Sequence, residues 1–351
     1  MTYQRDFDKR IRLGLVGVGS HAYRNILPAL HYLPVTLCAI SDPDTERAAR
    51  TARQFGVAGV YASASEMYAR ESLDAVIICV SERLHPQLAC EAFSANLHVW
   101  MEKPQSGRPE RIEELMRLSD QAGKLVMVGY KKIFFPAIAK AKEIMARPEF
   151  GAFTSCYGRY PQGLPPYEQR SDGRRMIGFL DHIVHPMSIL YYLGGPFRSI
   201  RFMRESRRGA TITLIQFVSG GIGALHLTSG QSGTSPLERV EVIGEGANLV
   251  VDNGVNLTYY RPGSRGAYGR APSFLVPDDQ APLVWTPEFS LGQLYNKNLF
   301  TLGYAQEVRH FAQCVLEGRP LDRADLTMAL EMAKVFQAYL APDGEEVLIN
   351  P

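Results

Sequence analysis

The sequence predicts an α/β chain in two parts, a parallel sheet of βαβ units followed by a second α/β domain with mainly antiparallel strands. Three observations carry this. Short apolar runs alternate with helical patterns through the first third, a glycine-rich turn follows the first of those runs, and from about Gly151 the pattern changes to strands separated by turn residues. A length of 351 residues exceeds what one core usually holds, so the chain is divided into 1–129 and 130–351.

In chain order, the first strands are expected at Ile11 to Val16, Val35 to Ile40, Ala75 to Val80, His98 to Met101 and Leu125 to Val128. Strands joined through helices in this way make right-handed crossovers and therefore a parallel sheet. Among the intervening helices, Ser63 and Glu66 have capping-box spacing, and Arg108-Pro109 opens a periodic run through Ile112, Leu115 and Leu118 that Gly123 ends. Later strands are expected at Ala210 to Val218, Ile222 to Thr228, Val240 to Ile243 and Leu249 to Val251, with Gly220-Gly221 marking a hairpin. One face of the strand after Ala210 carries Ile212, Leu214 and Val218, and the other carries Ile215 and Phe217. Two apolar faces fit helices on one side and a second subunit on the other, hence a homodimer or homotetramer, or else a sheet covered wholly within one chain. Pro262 to Thr286, rich in Gly, Pro and Ser, reads as a long loop, and helical patterns near Tyr304 to Leu316 and Arg323 to Leu340 complete the second domain.

Composition narrows the function. Apolar residues at 46% and charged residues at 21% describe an ordinary globular protein, and a formal charge of +2 argues against nucleic acid as the main partner. Cys38, Cys79, Cys90, Cys156 and Cys314 are scattered and odd in number, which signals neither a disulfide framework nor a zinc cage. A charged start and the lack of any membrane-length apolar stretch give no membrane partner and a reducing cytoplasm as the expected place.

Gly17-Val18-Gly19-Ser20-His21-Ala22 lies between the first strand and a helical pattern through Ile26 and Leu30. Here the first glycine permits the tight turn, the second lets backbone approach a pyrophosphate, and Ala22 stands for the third glycine, with the pyrophosphate at a helix N-terminus. Asp42, 25 positions beyond Gly17, stands where an acid bonds ribose hydroxyls, though it could also cap the next helix with Pro43 at its first position. Asp42 and Asp44 would repel a 2′-phosphate, which favours NAD, while Arg47 keeps NADP open.

Glu102-Lys103-Pro104 follows the strand His98 to Met101, at the carboxyl end where open α/β sheets place their ligands. A lysine partly desolvated there gives up its proton more readily than the free side chain. Farther on, Asp181 and His185 share one face if Asp181 begins a helix, and histidine is the side chain suited to moving protons near neutrality. Asp181 as an N-cap and His185 as a satisfied core histidine is the plainer alternative. His182 and His185 with Asp181 also suggest a metal, but ligands so close on one chain reach a tetrahedron poorly, so no metal is expected.

With these motifs, Ser81-Glu82-Arg83-Leu84-His85, and the closing pattern around Glu307, His310 and Phe311, the chain resembles the Gfo/Idh/MocA oxidoreductases over most of its length. That resemblance implies a Rossmann domain followed by an α/β domain with a large open sheet. It also implies cofactor contacts from Gly17, Gly19, Ser20, His21, Ala22, Asp42, Ser81, His85, Glu102 and Lys103, and often a cis bond before Pro104. Lys103 would hydrogen-bond the reacting oxygen, His185 would exchange the hydroxyl proton, and Asp181 would hold the histidine or a neighbouring hydroxyl. Where the family often has Asn and Arg after its tyrosine, this chain reads Tyr130-Lys131-Lys132-Ile133, and Ile183 stands where Gly is frequent.

The expected activity is NAD(P)-dependent oxidation or reduction at a secondary alcohol or ketone of a sugar, cyclitol or related polyol. Tyr130 is expected in the substrate site, and Tyr157, Arg159 and Tyr160 offer stacking and fixed donors for a carbohydrate. Arg170, Arg174 and Arg175 either face a sugar acid or phosphate or form a solvated charged loop, the plainer reading. The alternatives are a non-catalytic NAD-binding regulatory protein on the same fold, or NAD-dependent glycoside cleavage.

Overall fold

The computed structural model describes residues 7–262, 282–287 and 297–351, in two compact units, Met1–Phe134 with Tyr295–Lys334 and Phe135–Leu294 with Val335–Pro351. The first unit holds six strands, β1 (Ile11–Val16), β2 (Val35–Ser41), β3 (Gly59–Tyr61), β4 (Ala75–Ile78), β5 (His98–Met101) and β6 (Val126–Val128). All pair in parallel, in the order β3-β2-β1-β4-β5-β6. This is the Rossmann arrangement, whose order reverses between β1 and β4, where such sheets bind ligands.

The core explains why these strands were legible. Every residue of β4 is buried, as are Leu13, Leu15, Val99 and Trp100, because helices cover both faces of a parallel sheet and leave no position for a polar side chain. Removing an indole of roughly 200 Å² from water contributes about 5 kcal/mol, which makes Trp100 one of the larger single anchors of this layer. Helix ends are punctuated as expected. Ser63 Oγ accepts the Glu66 N–H at 3.2 Å, and Gly123 ends the helix Pro109–Ala122 in the left-handed conformation with φ 64°.

Asp44, rather than Asp42, caps the helix Thr45–Phe55, accepting the Arg47 N–H at 2.9 Å. Pro43 therefore lies outside that helix. The helix Tyr304–Glu317 also departs from expectation, since it packs on β1 and β5 of the first unit instead of completing the second. Its buried stripe of Ala305, Val308, Phe311 and Ala312 supplies the apolar cover, which sequence order alone does not reveal.

The second unit carries nine strands, β7 (Phe153–Tyr160), β8 (Phe197–Arg204), β9 (Thr211–Phe217), β10 (Ile222–Leu227), β11 (Arg239–Gly244), β12 (Asn248–Asp252), β13 (Asn256–Tyr260), β14 (Leu283–Trp285) and β15 (Glu346–Leu348). They are ordered β14-β13-β12-β11-β7-β10-β9-β8-β15, and only β7 with β10 is parallel. The Gly220-Gly221 hairpin is present, with Gly220 at φ 89° and the Phe217 N–H donating to the Gly221 carbonyl at 2.9 Å. One face is covered by the helix Gly173–Gly194, against which Gly158 permits close approach, since a β-carbon there would meet Leu225 at 3.0 Å and Leu190 at 3.4 Å. Ile215 and Phe217 are buried on that side, while Ile212, Leu214 and Val218 are exposed with Met203 and Ile222 on the other. Most of the loop expected at Pro262 to Thr286 lies outside the described residues, but its end forms β14 on the edge of the sheet, paired with β13. Among the described residues no helix is long and apolar enough to cross a membrane.

Candidate active site

The glycine-rich loop leaves β1 and turns at Gly17, whose φ of 88° favours glycine. A β-carbon there would stand 2.3 Å from the Cys79 carbonyl oxygen, at the end of neighbouring β4. Nothing lies within 4 Å of the β-carbon position of Gly19, so backbone is bare on that side. The segment 20–30 is helical with a wide turn over Ala22–Ile26, and Ala22 is buried beneath it. Asp42, 4% exposed, closes the loop from the end of β2. Its Oδ2 accepts the Val18 N–H at 2.9 Å, while Oδ1 accepts from the Asp44 N–H at 2.9 Å and from Arg47 Nη2 at 2.7 Å. Burial alone would raise the Asp42 pKa, but these donors outweigh it and hold the carboxyl below its usual range. A cavity of about 530 Å³ opens here, lined by Gly17, Gly19, Asp42, Arg47, Ser63, Cys79 and Val80 among others. Bare backbone, a helix N-terminus and an ionised acid fit the pyrophosphate and ribose of a dinucleotide.

Ser81 and His85 are not among the residues lining that cavity. His85 is 1% exposed, its Nε2 lies 3.1 Å from the Val80 carbonyl, and burial lowers its pKa, so it anchors the end of β4 from beneath. Ser81 Oγ donates to Glu82 Oε2 at 2.9 Å.

Glu102 sits immediately beyond β5 and is 7% exposed. Both of its oxygens are engaged. His21 Nε2 of the dinucleotide loop lies 2.7 Å from Oε1, and the Lys103 N–H donates to Oε2 at 3.0 Å. Lys103 is half-buried, and the bond to Pro104 is cis. The Glu-Lys-Pro turn is thereby tied to the cofactor loop by a direct side-chain contact. Tyr130, expected in the substrate site, is wholly buried instead, and its hydroxyl donates to Gln105 Oε1 at 2.7 Å beneath the same turn.

Around this turn the first unit gathers groups that motif spacing did not assign. The Tyr304 ring meets the His21 ring edge-on at 5.6 Å, and Lys131 Nζ donates to the Tyr304 hydroxyl at 2.6 Å. Glu307, one turn along the same helix, is fully buried, and neither of its carboxyl oxygens has a hydrogen-bond partner among the described residues. Burial pushes its pKa well up, and the nearby Glu102 charge adds to this against the pull of Lys131. Burial in turn lowers the Lys131 pKa, against the pull of Glu307 and Glu102. A charge inside an otherwise apolar helical pattern was the available signal for Glu307.

In the second unit the helix begins at Gly173 with Asp172 as its cap, so Asp181 is a mid-helix residue and not an N-cap. Asp181 and His185 lie one turn apart, and His185 is 7% exposed. The Tyr160 ring stands 6.3 Å from the His185 ring, on the helix-covered side of β7. Tyr157 and Arg159 do not join them. Paired with Ala224 and His226 of β10, they project from the opposite face, where the Tyr157 hydroxyl lies 3.4 Å from His226 Nδ1. Successive strand residues alternate sides, so the Tyr157 and Arg159 side chains leave the sheet opposite to Tyr160. Arg170 is likewise not a solvated residue. It is 3% exposed and donates to the Pro165 and Ala341 carbonyls and to Asp343 at 3.0, 2.6 and 2.6 Å, whereas Arg174 and Arg175 are exposed. No group of three or more potential metal ligands occurs among the described residues.

Comparison with known proteins agrees with this architecture. Residues 11–130 match the Gfo/Idh/MocA family model, described as an oxidoreductase family with an NAD-binding Rossmann fold. The chain is 26% identical to scyllo-inositol 2-dehydrogenase (NAD(+)) of Bacillus subtilis (strain 168), over 93% of this chain and 92% of that protein. It is 23% identical to Myo-inositol 2-dehydrogenase of Thermotoga maritima, over 69% of this chain and 75% of that one. Levoglucosan dehydrogenase, solved in complex with NADH and L-sorbose, shares the fold with a TM-score of 0.76 at 18% identity, over 94% of this chain and 96% of that one.

Proposed function

We propose that this chain, whose residues 11–130 match the Gfo/Idh/MocA oxidoreductase model, is an NAD(P)-dependent oxidoreductase of that family and transfers a hydride between the cofactor and a secondary alcohol or ketone of a sugar, cyclitol or related polyol. The observation that carries this reading is the 2.7 Å contact between His21 and Glu102, which fastens the turn bearing Lys103 to the dinucleotide loop. The bound nicotinamide supplies the hydride acceptor or donor. Lys103 hydrogen-bonds the reacting oxygen and disperses its developing charge, while His185 takes the hydroxyl proton in oxidation and returns it in reduction. Asp181, one turn from His185, orients the histidine or a neighbouring hydroxyl. Inositol dehydrogenases among the relatives support a polyol as substrate.

The test is a panel of inositols, sugars and sugar acids with NAD and NADP, followed by nicotinamide absorbance. Turnover of a polyol far above that of 2-propanol is expected, because a site built for several hydroxyls leaves its own groups unpaired with a simple alcohol, a penalty of up to about 10⁴-fold. Equal kcat/KM for 2-propanol and the best polyol would overturn the substrate class.

The open face of the nine-stranded sheet is the surface proposed for self-association. Met203, Leu214 and Ile222 are 74%, 58% and 62% exposed there, an apolar cluster that water does not favour. Light scattering on Leu214→Glu should show a smaller assembly than the parent, and a monomeric parent would end the proposal.

A further inference from the structure

A buried general base is useful only if its proton can leave. His185 is 7% exposed, whereas the His182 side chain, three residues earlier on the same helix, is 57% exposed. Their rings lie 6.5 Å apart. Tyr160 stands beside both, with its ring 6.3 Å from that of His185 and its hydroxyl 3.5 Å from His182 Nδ1. On the far side of the His182 ring, Asp181 Oδ2 is 4.0 Å from Nε2. One imidazole thus spans the distance from a buried hydroxyl to solvent, with a carboxylate beside its outer nitrogen.

We propose that His182 is the proton port of His185, with the Tyr160 hydroxyl as the link between the two rings. This rests on the reading of His185 as the group that exchanges the substrate proton. The relay is a set of proton transfers with no change of oxidation state. His185, once protonated, gives a ring proton to the Tyr160 oxygen, directly or through one water, as the hydroxyl hydrogen passes to His182 Nδ1. His182 then releases its Nε2 proton to solvent, and rotation of the hydroxyl with exchange of the imidazole tautomer resets the chain. In the reductive direction the same steps run backwards. Burial raises the Tyr160 pKa, so its hydroxyl acts as a neutral conductor and does not compete as a base. His182 is a positioning residue in this scheme, since it acts on the substrate only through His185.

The experiment uses the full chain labelled with ¹⁵N-histidine and reads the exchange of the His185 ring N–H with water by NMR. His182→Ala and Tyr160→Phe should each slow that exchange by about tenfold or more, the lower end of what one positioned proton-transfer group contributes. Added imidazole should restore the rate in His182→Ala. Because His182 is solvated, its replacement should leave the melting temperature nearly unchanged, and Tyr160→Phe keeps the ring contacts. Unchanged exchange in both variants, or a slowed rate in His182→Ala that imidazole does not restore, would overturn the relay. Neither result touches the role of His185 itself, which turnover of a polyol by His185→Ala tests separately.

Discussion

Asp42 Oδ2 accepts the backbone N–H of Val18 at 2.9 Å, so the acid expected to read the ribose also fixes the loop expected to hold the pyrophosphate. Its second oxygen is shared with Arg47, which in turn lies 3.3 Å from Asp44. Two carboxylates therefore engage Arg47, and charge as well as hydrogen bonding is expected to favour NAD over NADP.

Because of that double duty, Asp42→Asn and Asp42→Ala should differ. Asparagine can keep its one acceptor oxygen on the Val18 N–H but loses the charge and turns an amide NH2 toward the Asp44 N–H and Arg47, so it should hold the loop while narrowing the preference for NAD over NADP by about tenfold or more, the worth of a charge-assisted hydrogen bond. Alanine also releases the loop, and both cofactors should then bind more weakly. Fluorescence titration separates the two outcomes, and tighter NADP binding by the unmodified protein would refute the assignment.

Much of the first unit was legible because burial on both faces forces mainly apolar runs, broken in β1 by the exposed Arg12, and the ends of β1 and β5 fall where those runs end. β3 escaped because it has three residues, none of them buried. β8 escaped because Arg198, Arg201 and Arg204 interrupt its apolar positions, Arg201 on the open face beside Met203 and Arg204 on the covered face, where its Nε–H donates to the Leu164 carbonyl at 2.6 Å. Arg170 could not be read as buried, since Asp343, which compensates its charge, is 173 residues away. The separation of the Tyr157 and Arg159 side chains from Tyr160 was legible in the period of two, whereas the contact of Glu102 with His21 and the charges of Glu102 and Lys131 around Glu307 depend on tertiary approach that no periodicity encodes.

The chemistry proposed for Lys103 and His185 has a kinetic signature. Lys103→Ala or His185→Ala should lower kcat by about a hundredfold or more while NAD titration changes little, as expected of groups that serve proton transfer and positioning. If His185→Ala kept a near-normal kcat across about pH 6 to 9, the histidine would revert to a core residue.

Gly17→Ala tests the turn itself. A methyl group 2.3 Å from the Cys79 carbonyl cannot be accommodated by a side-chain movement, because backbone is what it meets, and β1 and β4 are held together by the Cys79 N–H to the Val16 carbonyl at 2.8 Å. The positive φ adds about 1–2 kcal/mol. Loss of NAD binding together with a lowered melting temperature is expected, and normal titration by the variant would show that the loop has another path.

Glu307 makes stability depend on pH in a direction opposite to that of an ordinary paired carboxylate. Burial raises its folded pKa above the unfolded value, so between those two values the folded chain holds a proton that the unfolded chain has released. Stability must then fall as pH rises from the usual carboxyl range toward the folded pKa, by at most about 1.4 kcal/mol per pH unit for this group. Lys131, lowered by burial, acts in the other sense, since stability is gained as pH rises from its folded toward its unfolded pKa. Glu307→Gln keeps the shape and cannot ionise. Its melting temperature should match the parent near about pH 4 and exceed it near about pH 8, by roughly 2–4 °C for each kcal/mol recovered. Parallel melting curves for parent and variant across that range would mean that Glu307 is ionised in the folded protein, with Lys131 as its partner.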